Sequence, residues 1–136
     1  MNVLIDTNVL LSAALRDNLP ERVVLYVAGG DAIRRIVTPE ILKEYTEVLR
    51  RPKFRLAEQT LERWAELLAM RSVDIGSPPY VPEFRRDPKD APFLAAAIMA
   101  RADYLITGDL DLLQTNEPIA TRIVTVAKFA TDFQIQ

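Results

Sequence analysis

The chain carries Asn2-Val3-Leu4-Ile5-Asp6-Thr7-Asn8-Val9-Leu10-Leu11-Ser12 near its start. The first four of these residues predict a short buried strand. Residues 7–15 predict a helix, because apolar side chains recur there at helical spacing, namely Val9, Leu10, Ala13 and Ala14. Asp6 falls at the junction, so its carboxylate is expected at the carboxyl end of the first strand.

The rest of the chain continues the alternation of short apolar strands with helices. Strands are predicted over residues 33–37, 71–75, 104–106 and 123–126. Helices are predicted from near Pro20 to Gly29-Gly30, over residues 38–50, 57–70, 91–101 and 110–113, and from Lys128 onward. One long irregular loop follows residue 75 and ends near Asp90. The pattern predicts an α/β fold with a parallel sheet covered on both faces, in a single domain of residues 1–136.

The composition excludes several kinds of catalytic site. The 136 residues include no His and no Cys, and 49% of them are hydrophobic. A Ser-His-Asp triad, a thiol nucleophile, an ordinary zinc site and a disulfide are therefore excluded. Carboxylate ligands suit hard cations such as Mg²⁺ or Mn²⁺, so any metal chemistry should be of that kind.

Features of a secreted or membrane protein are missing from the sequence. The first apolar segment starts at once, without the basic region of a secretory signal. The longest apolar run, residues 91–100, covers half of the roughly 20 residues that a membrane helix requires. We therefore expect a cytoplasmic protein with no membrane association.

Four acidic residues are candidates for a functional site because of their positions in the predicted fold. Asp6 and Asp109 each follow a predicted strand, and ligands of parallel sheets bind beyond the carboxyl ends of the strands. Asp90 precedes the helix at residue 91, and Glu44 lies one turn into the helix after the second strand. Taken singly, each acid could be a helix cap or part of a polar helix face.

Gathered at one edge, the four carboxylates would repel each other and raise each other's pKa unless cations neutralised them. One or two Mg²⁺ or Mn²⁺ ions would resolve that conflict. Such ions can polarise a phosphodiester and activate water without a histidine base.

The segments around these acids resemble the motifs of PIN-domain proteins. The quoted opening is similar to the first motif, and the other three motifs correspond to Thr38-Pro39-Glu40-Ile41-Leu42-Lys43-Glu44-Tyr45, Asp87-Pro88-Lys89-Asp90-Ala91-Pro92-Phe93-Leu94 and Leu105-Ile106-Thr107-Gly108-Asp109-Leu110-Asp111-Leu112. The similarity is greatest to bacterial and archaeal toxins related to the VapC type. It implies a three-layer α/β/α sandwich and a metal-dependent endoribonuclease, the toxin of a toxin-antitoxin system.

The resemblance also implies roles for individual residues. Asp6, Glu44, Asp90 and Asp109 take the metal-binding catalytic positions, and Asp111 is a candidate additional ligand. Asn8 and Thr107 match polar positions that orient carboxylates or water. Asp87 is interpreted separately as a turn former before Pro88.

The implied partners are RNA, an antitoxin protein and a second copy of the chain. A net charge of -2 gives no general attraction to nucleic acid, but basic residues are clustered. Candidate RNA contacts are Arg50, Arg51, Lys53, Arg55, Arg85 and Arg86; the alternative for each cluster, the second of which also contains Lys89, is a solvated surface. Residues 39–70 resemble the helical hairpin that contacts an antitoxin or a second subunit, and Trp64 within it is interpreted as a core residue.

Two other functions fit parts of the pattern. A haloacid-dehalogenase-like phosphatase also places an Asp after its first strand, but it needs a second acid two residues later, where this chain has Asn8. A catalytically silent PIN-like module that binds RNA or a protein is the main alternative. Metal-dependent cleavage would distinguish the nuclease from that module.

Overall fold

A parallel sheet forms the centre of the molecule. The computed structural model describes residues 1–16, 18–81, 84, 87–116 and 119–136. Its five strands are β1 (Asn2–Ile5), β2 (Arg34–Val37), β3 (Ser72–Asp74), β4 (Tyr104–Ile106) and β5 (Arg122–Val124). They pair in the order β3-β2-β1-β4-β5, and all four pairings are parallel. The central position of β1 places Asp6 at the middle of the sheet edge.

Helices cover the sheet and give the three-layer α/β/α sandwich that the sequence predicts. Within the described residues they are α1 (Thr7–Ala14), α2 (Asn18–Gly29), α3 (Pro39–Leu49), α4 (Glu58–Arg71), α5 (Ala91–Ala100), α6 (Leu110–Leu113) and α7 (Val126–Asp132). Two 3-10 turns, Pro52–Phe54 and Pro88–Asp90, precede α4 and α5. Across the described segments, no helix has the length and apolar character needed to cross a membrane.

Local capping explains where the helices begin. Thr38 caps α3, because its hydroxyl accepts a hydrogen bond of 3.1 Å from the backbone N–H of Ile41. Thr125 caps α7 in the same way through the N–H of Lys128, at 3.0 Å. This cap explains why α7 starts at Val126 and β5 ends at Val124, each two residues earlier than predicted.

The start of α2 also differs from the prediction. The helix begins at Asn18 rather than at Pro20. Pro20 is still within the first turn, where a backbone N–H has no partner inside the helix, so the missing N–H of proline costs nothing there.

The core lies between the central strands and the helices packed on them. Leu4, Leu105 and Ile106 have no exposed surface. Helix α5 is buried along most of its length, and its alanines allow it to pack closely on the sheet. Trp64 is only 2% exposed, which confirms the interpretation of this residue as part of the core. The burial of α5 fixes Asp90, which immediately precedes it.

Candidate active site

Five carboxylates line one groove at the carboxyl end of the sheet. They are Asp6, Glu44, Asp87, Asp90 and Asp109, and we call this feature the acidic groove. The side chains come from the end of β1, from α3, from the segment before α5 and from the segment after β4. The structure thus brings together the four acids selected from the sequence and adds Asp87.

Asp6 is held by hydrogen bonds on both carboxylate oxygens. Its Oδ2 accepts a bond of 2.6 Å from the hydroxyl of Thr107, and its Oδ1 accepts one of 2.8 Å from the N–H of Thr7. The N–H of Asp6 donates to the carbonyl of Ile106 at 2.9 Å, which ties the end of β1 to β4. Burial raises the pKa of Asp6, and the two donors oppose that rise.

Thr107 links two of the acidic segments. While its hydroxyl donates to Asp6, the same oxygen accepts a bond of 3.0 Å from the N–H of Asp109. Thr107 has no exposed surface, so this bridge is shielded from bulk water. Thr107 therefore positions the Asp6 carboxylate against the segment that carries Asp109.

Asp109 also forms a local cap. Its Oδ1 accepts a bond of 2.8 Å from the N–H of Asp111 and so caps α6. The half-buried side chain of Asp111 is not among the residues that line the acidic groove. Asp111 therefore holds Asp109 through its backbone, and its proposed role as a metal ligand gains no support from this position.

Asp90 is the most strongly perturbed acid in the acidic groove. Its side chain is 6% exposed, and its Oδ2 is buried with no hydrogen-bond partner. Burial, together with the nearby Asp109, Asp6 and Asp87, raises the pKa of Asp90 to about 8. A buried carboxylate oxygen without a donor is costly unless a cation contacts it.

Asp87 is a site residue that the sequence interpretation missed. Its carboxylate accepts a bond of 3.1 Å from the N–H of Lys89, so the predicted turn role is confirmed. One oxygen from each of Asp87, Asp90 and Asp109 also lies within 4.8 Å of the other two. The signal was the spacing, because residues three apart in a 3-10 turn point in the same direction.

Glu44 joins the acidic groove through Thr7. The Thr7 hydroxyl donates a hydrogen bond to Oε2 of Glu44, while the Thr7 N–H contacts Asp6. Thr7 therefore orients two acids, a role that sequence reasoning did not assign to it. Asn8, which it did select, is exposed and lines the same groove.

The residue after Glu44 anchors α3 to the sheet. The hydroxyl of Tyr45 donates to the carbonyl of Ile5, and burial raises the pKa of this fully buried side chain. We expect Tyr45→Phe to lower the free energy of unfolding by about 1–2 kcal/mol, because the buried carbonyl loses its donor. Thermal unfolding beside Tyr26→Phe, a control at a side chain that is 41% exposed, measures this difference. Equal melting temperatures for the two variants would contradict it.

The candidate RNA contacts are divided by the structure. Arg51 and Lys53 line the acidic groove, and so does Lys89, which the sequence interpretation did not select. Arg50 instead contacts the carboxylate of Glu58 at 3.4 Å. Arg55 is likewise not among the lining residues, and Arg85 and Arg86 lie outside the described residues. Lysine and arginine thus approach the carboxylates from two different segments.

The donor set fits a hard divalent cation. It consists of carboxylate oxygens with hydroxyls nearby, and the chain supplies no imidazole or thiolate. The partnerless Oδ2 of Asp90 marks the point where such a cation would offset the burial of charge. The residues present therefore fit Mg²⁺ or Mn²⁺.

Comparison with known families agrees with a site for divalent cations. A family model described as PIN domain matches residues 2–111, about four-fifths of the chain, while no curated protein matches it. The matched stretch contains all five acids of the acidic groove and the four strands β1 to β4. Domains of this kind are generally metal-dependent nucleases. The chain belongs to the PIN-domain family.

Proposed function

We propose that the protein is an endoribonuclease that hydrolyses RNA phosphodiester bonds with Mg²⁺ or Mn²⁺. The observation that carries the proposal is the buried, partnerless Oδ2 of Asp90 within a cluster of carboxylates. Burial, and after it the neighbouring carboxylates, raise the pKa of Asp90, so its charged form is disfavoured in the absence of a cation. A cation would remove both penalties, and PIN-family membership supports this use of the site.

One or two ions have suitable ligands in the acidic groove. Asp87, Asp90 and Asp109 would hold one ion, because their oxygens already lie close together. Asp6 adjoins Asp109 through Thr107, and it would contribute to the same ion or, with Glu44, to a second one. A bound ion would supply the positive charge that polarises a phosphodiester and activates water.

The surrounding residues position the reactants. Thr107 and the backbone of Thr7 fix the direction of the Asp6 carboxylate. The Thr7 hydroxyl engages one oxygen of Glu44, which leaves the other oxygen to accept a proton from the attacking water. Lys89 and Arg51 line the groove where they would contact phosphates beside the bond that breaks.

Removal of metal provides the first test of this function. We expect purified protein to cleave structured or unstructured RNA with Mn²⁺ or Mg²⁺, to lose cleavage in EDTA, and to regain it when metal is restored. Gel analysis of labelled RNA measures this. Undiminished cleavage in EDTA would contradict the proposal, and no cleavage by folded, metal-loaded protein would favour a silent binding module.

The resemblance to VapC-type toxins supports a finer proposal. The protein would act in the cytoplasm as the toxin of a toxin-antitoxin pair, with an antitoxin protein and a second copy of the chain as partners. Controlled expression in bacteria tests the toxic role. We expect the native chain to arrest growth and the Asp6→Asn variant, produced at the same level, to leave growth unchanged; equal growth with both chains would contradict it.

A further inference from the structure

Phe54 brings an aromatic ring into the acidic groove. The ring is half-buried and lines the groove together with Asp6, Asp90 and Asp109. The other aromatic side chain of the groove, Phe93, is 1% exposed and belongs to the core, whereas the ring of Phe54 keeps accessible surface. Nucleic-acid bases are bound by stacking on aromatic rings.

The backbone around Phe54 is fixed in advance. The N–H of Phe54 donates to the carbonyl of Arg51, and the N–H of Arg55 donates to the carbonyl of Pro52, each at 3.1 Å. Pro52 restricts its own φ. Arg55 closes the turn in a left-handed conformation with φ of 51°. The ring is therefore attached to a closed turn rather than to an open loop.

A cation covers the ring in the free protein. Nζ of Lys53 lies 5.1 Å from the centroid of the Phe54 ring, and the Lys53 side chain is exposed. An exposed contact of this kind strengthens an association by about two- to fivefold. Stacking of a base on an aromatic ring contributes about five- to 150-fold. A base would therefore displace the ammonium group, which would remain beside the incoming strand.

The acidic groove has a net negative charge, so stacking of a base would add to its affinity for RNA. Five carboxylates face three cations, Arg51, Lys53 and Lys89, so phosphate attraction is weak before metal binds. No ion pair between described residues uses any of these three cations. They are placed to contact a backbone, and a contact to a base would add affinity that does not depend on charge.

We propose that Phe54 stacks on one unpaired base of the RNA while Lys53 and Arg51 contact the neighbouring phosphates. A base inside a duplex is stacked on its neighbours and cannot offer its face to the ring. This inference rests on the proposed ribonuclease function and names a residue that would hold a base of its substrate.

Binding measurements separate this inference from cleavage. The probes are a fluorescent single-stranded RNA of mixed sequence and a blunt-ended RNA duplex whose strands have the same length. Ca²⁺ replaces Mg²⁺ because it takes the same oxygen ligands, and gels confirm that the RNA stays intact. We expect Phe54→Leu to weaken single-strand binding about tenfold. Phe54→Tyr, which keeps the ring, should bind like the native chain, and duplex binding should be equal for all three proteins.

Two results would overturn the inference: single-strand binding that is the same for Phe54→Leu and the native chain, or an equal loss of duplex binding. The exposed Lys53 gives a second measurement that does not depend on folding of the Phe54 variants. Lys53→Gln should reduce the slope of log affinity against log salt by about 0.7 for a single strand, and an unchanged slope would count against the phosphate contact. Cleavage by the native chain with Mg²⁺ or Mn²⁺ is scored separately, so failure of the nuclease function remains distinguishable.

Discussion

Replacing Asp6 by asparagine is expected to reduce Mg²⁺- or Mn²⁺-dependent RNA cleavage by about a hundredfold or more. The change removes one negative charge and one metal ligand from the acidic groove. It should leave the fold intact, because the amide retains an acceptor for the N–H of Thr7 and can donate to the hydroxyl of Thr107. The initial rate of cleavage over a range of metal concentrations measures the effect.

A matched control makes the result specific to the site. Asp31→Asn removes the same charge at an exposed position before β2, away from the acidic groove, and should cleave like the native chain. The melting temperature of Asp6→Asn without metal should be no lower than that of the native protein. A carefully purified Asp6→Asn protein with full activity would show that this carboxylate has no part in catalysis.

Replacing Asp90 by asparagine is expected to stabilise the metal-free protein at high pH while preventing metal from stabilising it. Burial and the neighbouring Asp109 raise the pKa of Asp90 to about 8, from 3.8 in the unfolded chain. Between these values the folded protein keeps a proton that the unfolded chain releases. Raising the pH through this range therefore favours unfolding, by up to about 1.4 kcal/mol per pH unit.

Thermal unfolding in EDTA at pH 5 and pH 8 measures this effect. We expect the native chain to be about 2 kcal/mol less stable at pH 8, which is below the full effect because neighbouring carboxylates share the charge. Asp90→Asn should abolish this loss and melt at least about 5 °C higher than the native chain at pH 8.

Metal provides the opposite comparison for Asp90. Added Mg²⁺ or Mn²⁺ should raise the melting temperature of the native chain at pH 8 and have little effect on Asp90→Asn, which lacks a ligand. Asp31→Asn again serves as the control and should respond like the native chain. Equal metal stabilisation in Asp90→Asn and the native chain would place the ion elsewhere.

The sequence predicted the fold well because its signals are local. Strand β1, strand β4 and helix α6 have the predicted bounds. Each is a short apolar segment with polar residues or glycine at its ends, so its limits are visible in the sequence. The departures at α2 and α7 are two residues long, and the cap formed by Thr125 accounts for the second. The rule that ligands bind beyond strand ends also selected Asp6 and Asp109.

The missing parts of the site depend on contacts across the chain. Thr7 donates a hydrogen bond to Glu44, which lies 37 residues away in the sequence, and no local sequence pattern predicts that bond. Phe54 and Lys89 enter the same groove from segments on either side of α4 and β3, so composition alone could not associate them. Asp87 was assigned only a role in the local turn. Its spacing of three residues from Asp90 could also have indicated that it belongs to the carboxylate cluster.

The bond between the N–H of Asp6 and the carbonyl of Ile106 has a consequence for inactivation by heat. It joins the central strand β1 to its neighbour β4, and the amides of these two strands should exchange with solvent only when the whole domain opens. A partial opening at the edges of the sheet would leave this acid in its native position. Loss of activity on heating should therefore coincide with cooperative unfolding of the domain rather than precede it.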